Sequence, residues 1–284
     1  MKTKNIAVSF QGEKGAFSEQ AIYKFFDSPK EEIRAIPSST LAEVLHFVEM
    51  GSSEFGIIPV ENSIGGYVDR SYELIANSET RVIGEVYLQV RHNLLGIEDT
   101  SVDRIETVYS HPQALKQCRK FLEKLEVSTR ATYDTAGSAK MISRRQRSTE
   151  AAIASELAAN QYALEILKKD IHTSDRNNTR FLVVTSTDET RRKRDVQYKT
   201  TITFELGDQS GALYHCLAPF AERNINLTMI KSRPTESAKW EYHFDLDLEG
   251  HKNDSSVQES IQIINSFLPK PIRILGSYPM GVKV

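Results

Sequence analysis

Two α/β lobes around a cleft, followed by a small α+β unit, is the fold class predicted by three features of this chain. Short apolar strands alternate with amphipathic helices from residue 6 to residue 184. That grammar runs twice, interrupted by a long β-rich stretch at 81–95. Past a wholly polar segment at 185–195 the pattern changes to strands that are apolar at every second position, which marks a sheet with only one covered face.

At 284 residues the chain exceeds the usual size of one domain, so two compact units are expected. Hydrophobic content of 39%, charged content of 26% and a formal net charge of -2 describe an ordinary globular protein, with no electrostatic pull toward nucleic acid or a membrane. The apolar run after the basic start is too short for a signal peptide, and no stretch reaches transmembrane length. Cys118 and Cys216 are the only cysteines and lie far apart, which favours a reducing cytoplasm over a disulfide framework. The seven histidines show no metal-ligand spacing, so no metal is expected.

Taken in order, residues 6–10 form a strand, 11–15 a glycine turn and 16–26 a helix. That junction is either a plain tight turn or a loop whose backbone N–H groups meet a carboxylate or phosphate. Strand 33–36, helix 40–50 and strand 55–60 follow, and the last strand ends in Glu61-Asn62-Ser63. In sheets of this type ligands bind outside the carboxyl ends of strands, so these three are site candidates; capping of a helix at 67–76 is the alternative.

The stretch 81–95 reads as one strand crossing between lobes. The second run comprises strand 105–109, helix 112–124, strand 127–133, helix 137–145, strand 151–154 and helix 158–167. Its strand ends carry Ser110-His111-Pro112-Gln113, Asp134-Thr135 and Ser155. Ser110 is the expected cap of the following helix, and Gln117, near its start, can reach the cleft. His111 is read as capping or packing rather than as a general base. Then Asn177-Asn178-Thr179-Arg180-Phe181 leads into a buried strand, placing a hydroxyl and a guanidinium side by side at its mouth. Arg191-Arg192-Lys193-Arg194 belong to a solvated linker. Beyond it come strand 201–206, helix 213–221, strands 225–230 and 241–248, helix 257–268 and strand 272–275, the order βαββαβ.

With these segments placed, the chain resembles the prephenate dehydratases. The resemblance rests on residues 11–18, Pro59-Val60-Glu61-Asn62-Ser63, Ser110-His111-Pro112-Gln113-Ala114-Leu115, Asp134-Thr135-Ala136, Ala152-Ile153-Ala154-Ser155 and Asn177-Asn178-Thr179-Arg180-Phe181. It implies a catalytic domain of periplasmic-binding-protein type at 1–186, a linker at 187–198 and an ACT regulatory domain at 199–284. The implied reaction is that of a carbon–oxygen lyase. Prephenate loses carbon dioxide and water to give phenylpyruvate, with feedback inhibition by phenylalanine and no cofactor. Aromatisation supplies the driving force, and a proton donor at the departing hydroxyl is the useful catalyst.

The family gives that role to the threonine matching Thr179. Arg180 then offers a fork for a carboxylate, and Glu61 must pair with a cation, orient the hydroxyl or be protonated beside a dianionic substrate. Asn62, Ser63, Ser110, Gln117, Thr135, Asn177 and Phe181 are the implied substrate contacts. Gly211, Ala212, Leu213, Asn226, Leu227, Ser232 and Arg233 are the implied phenylalanine site, at an interface of a homodimer or homotetramer. Lys231 and Ser210 stand where the family usually has an acidic residue and a proline. Segments 61–70 and 134–137 also resemble arogenate dehydratases, which leaves prephenate or arogenate open as substrate. A cleft-type regulator that binds a small molecule without turnover is the non-enzymatic alternative.

Overall fold

In the computed structural model the described residues are 5–68, 70–187, 192–235 and 241–282. They form two compact units. One holds the chain up to Ser71 together with Val86–Phe181, and the other holds Tyr72–Glu85 with Leu182–Val282. Of the linker expected at 187–198, residues 188–191 lie outside the described residues.

The chain opens with β1 (Ile6–Gln11), α1 (Phe17–Phe26), β2 (Ile33–Ser38), α2 (Leu41–Glu49), β3 (Phe55–Asn62), β4 (Gly66–Tyr67), α3 (Ser71–Asn77) and β5 (Arg81–Gln89). Helical spacing of Leu41, Val44, Leu45 and Val48 buries one face of α2, and the Thr40 hydroxyl caps it by accepting from Glu43 N–H. The second run is β6 (Asn93–Gly96), β7 (Thr107–Ser110), α4 (Pro112–Gln117), α5 (Arg119–Leu125), β8 (Ser128–Ala131), α6 (Thr135–Arg145), β9 (Glu150–Ala154), α7 (Glu156–Gln161), β10 (Glu165–Lys168) and β11 (Asn178–Thr185).

The first sheet has the order β2-β1-β3-β11-β5 with β4 on β3, and the second β10-β6-β9-β7-β8. Strand β11 therefore returns from the second run to lie beside β3. Its return brings residues distant in sequence to one edge. The β1–β2, β1–β3, β7–β8 and β7–β9 pairs are parallel, as alternating strands and helices require, whereas β6–β9 and β6–β10 are antiparallel.

Three expectations change here. The stretch 81–95 is not one strand: β5 ends at Gln89, and β6, which starts at Asn93, belongs to the other sheet. The helix expected at 112–124 breaks at Cys118, whose φ of -100° and ψ of 9° leave the helical region, although Ala114, Cys118 and Leu122 still face one core. The helix expected at 158–167 stops at Gln161, and Glu165–Lys168 is an edge strand instead. Short β-branched and apolar runs are ambiguous by periodicity alone, and sheet pairing decided this one.

Beyond the polar segment come β12 (Tyr198–Leu206), α8 (Ala212–Glu222), β13 (Leu227–Pro234), β14 (Tyr242–Glu249), α9 (Ser255–Asn265) and β15 (Arg273–Pro279), in the expected βαββαβ order. The sheet order is β13-β14-β12-β15 and every pair is antiparallel. Ile202, Phe204, Leu246, Leu248, Phe220 and Ile264 form its core between sheet and helices. Arg192, from the basic tetrad, is engaged by Asp254 at 2.7 Å and lies over the Tyr198 ring.

Candidate active site

Two strand ends of the first sheet, the carboxyl end of β3 and the amino end of β11, carry the residues at which the site is built. Asn62 ends β3, and its Oδ1 accepts from the backbone N–H of Ile64 at 3.1 Å and of Gly65 at 2.7 Å. Backbone N–H groups can only donate, so this turn fixes which end of the Asn62 amide is oxygen. A Cβ on Gly65 would lie 2.0 Å from Gln113 Nε2, so a larger residue there would have to displace that side chain. The Asn62 Nδ2 then donates to Asn177 Oδ1 at 2.8 Å and to Thr179 Oγ1 at 2.9 Å. Thr179 Oγ1 is thereby an acceptor within the protein. Its own proton is left for another partner.

That partner would sit in a cavity of about 190 Å³ lined by Thr179, Phe181, Asn62, Gln117, Thr135 and His92, among others. Phe17, Ser18, His111 and Thr135 also line a neighbouring chamber of about 610 Å³. At this shared wall begins α1, whose N-cap Ala16 supplies no side-chain acceptor. Its first-turn N–H groups lack helical partners by geometry. The Ser38 hydroxyl, which lines the larger chamber, is buried and has no hydrogen-bond partner among the described residues. The chamber also carries Glu13, Glu43 and Asp134. Glu13 is engaged by Lys140 at 2.7 Å, and Asp134 caps α6 through Gly137 N–H while accepting from Glu13 N–H at 3.1 Å. Burial holds the Asp134 carboxyl above the usual range.

Asn62, Gln117, Thr135, Asn177, Thr179 and Phe181 are gathered at or immediately behind the smaller cavity. Asn177 is wholly buried and donates from Nδ2 to Gln117 Oε1 at 3.0 Å. Ser63, Ser110, Glu61 and Arg180 are placed elsewhere. Ser63 is a strut, donating to the Arg176 carbonyl and accepting from Asn178 N–H at 2.9 Å. Ser110 donates to the Ile153 carbonyl at 2.7 Å inside the second lobe, so its hydroxyl is spent on architecture. Nor does it cap α4: His111 does, through Nδ1, which accepts from Gln113 N–H at 3.2 Å. Glu61 pairs in register with Tyr67 and is absent from the wall of the Thr179 cavity.

Arg180 follows from strand geometry. Neighbouring residues in a strand face opposite sides, so with Thr179 and Phe181 on the cavity wall the intervening Arg180 is turned away, and it is 3% exposed. The carboxylate fork expected of it is not at the cavity.

His92 is the residue that sequence reasoning missed. It lies just past the end of β5, lines the smaller cavity and places Nε2 2.7 Å from Gln117 Oε1. Burial is the main reason its pKa is pushed down to about 4, so the ring is neutral near neutrality. The signal for it was the polar Arg91-His92-Asn93 interruption inside an otherwise apolar run.

In the second unit, Gly211 has the left-handed φ of 79° and opens α8, and Leu213 and Leu227 pack against the core. Asn226 donates from Nδ2 to Glu249 at 3.0 Å, and Arg233 lies 3.4 Å from the buried Asp245 carboxylate. The registers put Ser232 and Arg233 at the end of the sheet where β12 runs out into α8, and Asn226 and Leu227 at the other, about 17 Å away along β13. One chain does not bring the seven effector candidates together.

Among the described residues no group of histidine, cysteine and carboxylate side chains could hold a metal ion, and no helix is long and apolar enough to cross a membrane.

The model of the prephenate dehydratase family matches residues 8–189, and that of the ACT domain matches residues 200–265. A bifunctional chorismate mutase/prephenate dehydratase of Aquifex aeolicus is 37% identical over 98% of this chain and 75% of its own length. A prephenate dehydratase of Methanocaldococcus jannaschii is 35% identical over 97% and 99%. An arogenate dehydratase/prephenate dehydratase of Arabidopsis thaliana is 36% identical over 97% and 73%. Among solved structures, a prephenate dehydratase from Arthrobacter aurescens in complex with L-Phe superposes with a TM-score of 0.87 at 29% identity, covering 96% of this chain and 90% of that one. A protein described as a novel type of quorum quenching acylase gives 0.89 at 29%, covering 96% and 98%. From the match along almost its whole length, and from the strand ends that converge on Thr179, the chain belongs to the prephenate dehydratase family.

Proposed function

We propose that this protein converts prephenate to phenylpyruvate in phenylalanine biosynthesis, acting as a carbon–oxygen lyase under feedback control by phenylalanine. The observation that carries the reading is the direction of the hydrogen bond from Asn62 Nδ2 to Thr179 Oγ1, which frees the threonine proton for a group in the cavity. In the reaction the bond from the ring to its carboxylate breaks and carbon dioxide leaves. The electron pair enters the ring as the ring C–O bond breaks. Thr179 donates a hydrogen bond to the departing oxygen, which leaves with the C–O electron pair as hydroxide and becomes water by taking a proton from solvent. A hydroxyl is too weak an acid to give up its proton early, so its contribution is a hydrogen bond that strengthens as negative charge grows on that oxygen.

With Arg180 turned away, the start of α1 is the place for a substrate carboxylate. First-turn N–H groups are donors to an anion there. Purified protein given prephenate without additive tests the reading. Phenylpyruvate is the expected product, and binding without turnover overturns the enzyme reading in favour of a regulator.

Arogenate is the second reading, supported by the plant relatives named for both activities. The two specificity constants measured side by side decide it. Acylase chemistry has less support: the hydroxyls of Ser63 and Ser110 are both committed to backbone carbonyls rather than to a base.

Phenylalanine regulation through residues 199–284 draws its support from the ACT match and from the L-Phe complex of the Arthrobacter relative. The separation of Asn226 from Arg233 along β13 suits a site shared between subunits of a homodimer or homotetramer. The two buried free thiols support a cytoplasmic location. Removing the whole C-terminal part is a poor test of regulation, because Glu85 would lose the buried partner Lys199. Arg233→Ala in the full chain is the cleaner variant.

A further inference from the structure

Each hydrogen bond behind Thr179 has a fixed donor: Asn62 donates both to Thr179 and, through Asn177, toward Gln117, where a second donor arrives from the far side. Ile64 and Gly65 N–H make Asn62 Oδ1 an acceptor, so Asn62 Nδ2 donates to Asn177 Oδ1. Asn177 Nδ2 must then donate to Gln117 Oε1. With that oxygen an acceptor, the nitrogen 2.7 Å away on His92 has to carry a proton.

We propose that His92 is a positioning residue for this site: its Nε2–H holds Gln117 Oε1, so that the Gln117 amide N–H₂ faces the cavity as a donor to the substrate. The inference rests on the reading of the cavity as a dehydratase site. Gln117 Oε1 has two lone pairs and two donors, Asn177 and His92, which pins the amide from both sides. Gln117 lines the cavity wall, and its Nε2 has no partner among the described residues.

Three further contacts fix His92, one on its ring and two on its backbone. Phe17 meets it edge to face, with ring centroids 5.4 Å apart. The His92 backbone N–H donates to His172 Nδ1 at 3.4 Å, and its carbonyl accepts from Ile171 N–H at 2.9 Å. His92 is 2% exposed, and its Nδ1 has no hydrogen-bond partner among the described residues. A bare Nδ1 is what the Nε2–H tautomer leaves behind. Such a ring shuttles no proton, and its effect on the reaction passes through Gln117.

Side-chain geometry supplies the test. The Nε2 of a glutamine reaches about as far from the backbone as the imidazole Nε2, whereas the asparagine Nδ2 reaches only the Nδ1 position. His92→Gln therefore restores the donor, and His92→Asn and His92→Leu do not. Expected is a fall of about 10- to 100-fold in kcat/KM for prephenate in the Leu and Asn variants, carried mainly by kcat, with the Gln variant recovering most of it. Equal activity of the Asn and Gln variants, or no loss in either Leu or Asn, overturns the proposal, and comparing Asn with Gln needs no folded Leu variant.

A readout independent of turnover separates this idea from the assignment of the reaction. Two-bond ¹H–¹⁵N correlations of the labelled histidine rings should show His92 neutral, with the proton on Nε2. A proton on Nδ1, or a charged ring near neutrality, overturns it whatever the substrate. Absence of prephenate turnover by the unmodified protein, with the Nε2–H tautomer present, would instead count against the proposed function alone.

Discussion

Buried polar groups are arranged in opposite ways in the two units. In the first, Asn62 donates to Thr179 and, through Asn177, to Gln117, which His92 holds from the other side, and the Thr179 proton and the Gln117 amide N–H₂ are left over at a cavity wall. In the second, Lys199 Nζ sits 2.9 Å from both Glu85 carboxylate oxygens, with the two side chains 1% and 0% exposed. Beside it, Thr201 donates to Asp247 at 2.6 Å and Thr203 to Asp245 at 2.7 Å. Lys199 and Glu85 close on each other. Burial of polarity is costly in both places, but the first arrangement leaves hydrogen-bonding capacity at a cavity wall, whereas the Lys199–Glu85 pair spends its capacity on itself. An open end marks chemistry, and a closed pair marks architecture.

Removing the open end should have the largest effect. Thr179→Ala is expected to lower turnover by about 10²- to 10⁴-fold while changing KM by much less. Stability should hardly move, because Asn62 keeps its bonds to Asn177 Oδ1 and the Asn178 carbonyl. Steady-state kinetics with a thermal melt check both halves. A variant that keeps its turnover places the proton donor elsewhere.

Breaking a closed pair should do the reverse. Lys199→Met leaves the buried Glu85 carboxylate without its cation, although Gly281 N–H still donates to it at 2.9 Å. Denaturant unfolding is expected to show a loss of about 3–5 kcal/mol, with unchanged kcat in the molecules that remain folded. The paired change Lys199→Met with Glu85→Leu should regain most of that loss. If the double variant is no better than the single one, the pair contributes more than its own charge balance.

These contrasts also explain what was legible beforehand. Alternating strands and helices announced both lobes, and turn residues at strand ends pointed to Asn62 and Thr179. The period of two along β11, already visible in the sequence, separates Thr179 and Phe181 from Arg180, whereas the family resemblance implies a site role for all three. Ser110 was misplaced for another reason: whether a hydroxyl faces a ligand or a carbonyl depends on a strand 43 residues away. His92 lay hidden because the polar Arg91-His92-Asn93 interruption does not by itself say that the strands on either side of it join different sheets.

A pH experiment sharpens the comparison from the side of His92. Its pKa is about 4 in the folded protein against an ordinary 6.5, so between those values the unfolded chain binds more protons. Stability from this group is present above about pH 6.5, falls as pH is lowered through that window and is fully lost below about pH 4. The whole swing is on the order of 3 kcal/mol. His92→Gln should flatten this part of the profile relative to the unmodified protein, and an identical slope in both would mean that the ring is charged in the folded state too.

The smallest effect is expected where a serine in a family motif proves to be closed. Ser155 accepts from Ala158 N–H at 2.9 Å, capping α7, and donates to the Gly15 carbonyl at 2.6 Å. Both of its hydrogen-bonding roles are used, and it is 1% exposed. Ser155→Ala therefore removes a cap and a tether without touching the cavity, a loss of roughly 1–2 kcal/mol in stability. Gly15 lies two residues before the start of α1, and a Cβ on it would come 2.6 Å from the Ala158 Cα, so the loop is also held by packing against α7. That second hold should keep α1 in place, and kcat should change by less than about threefold. A larger fall in kcat with unchanged stability would make Ser155 part of the open network after all, and the division between open and closed polarity would then fail at this helix.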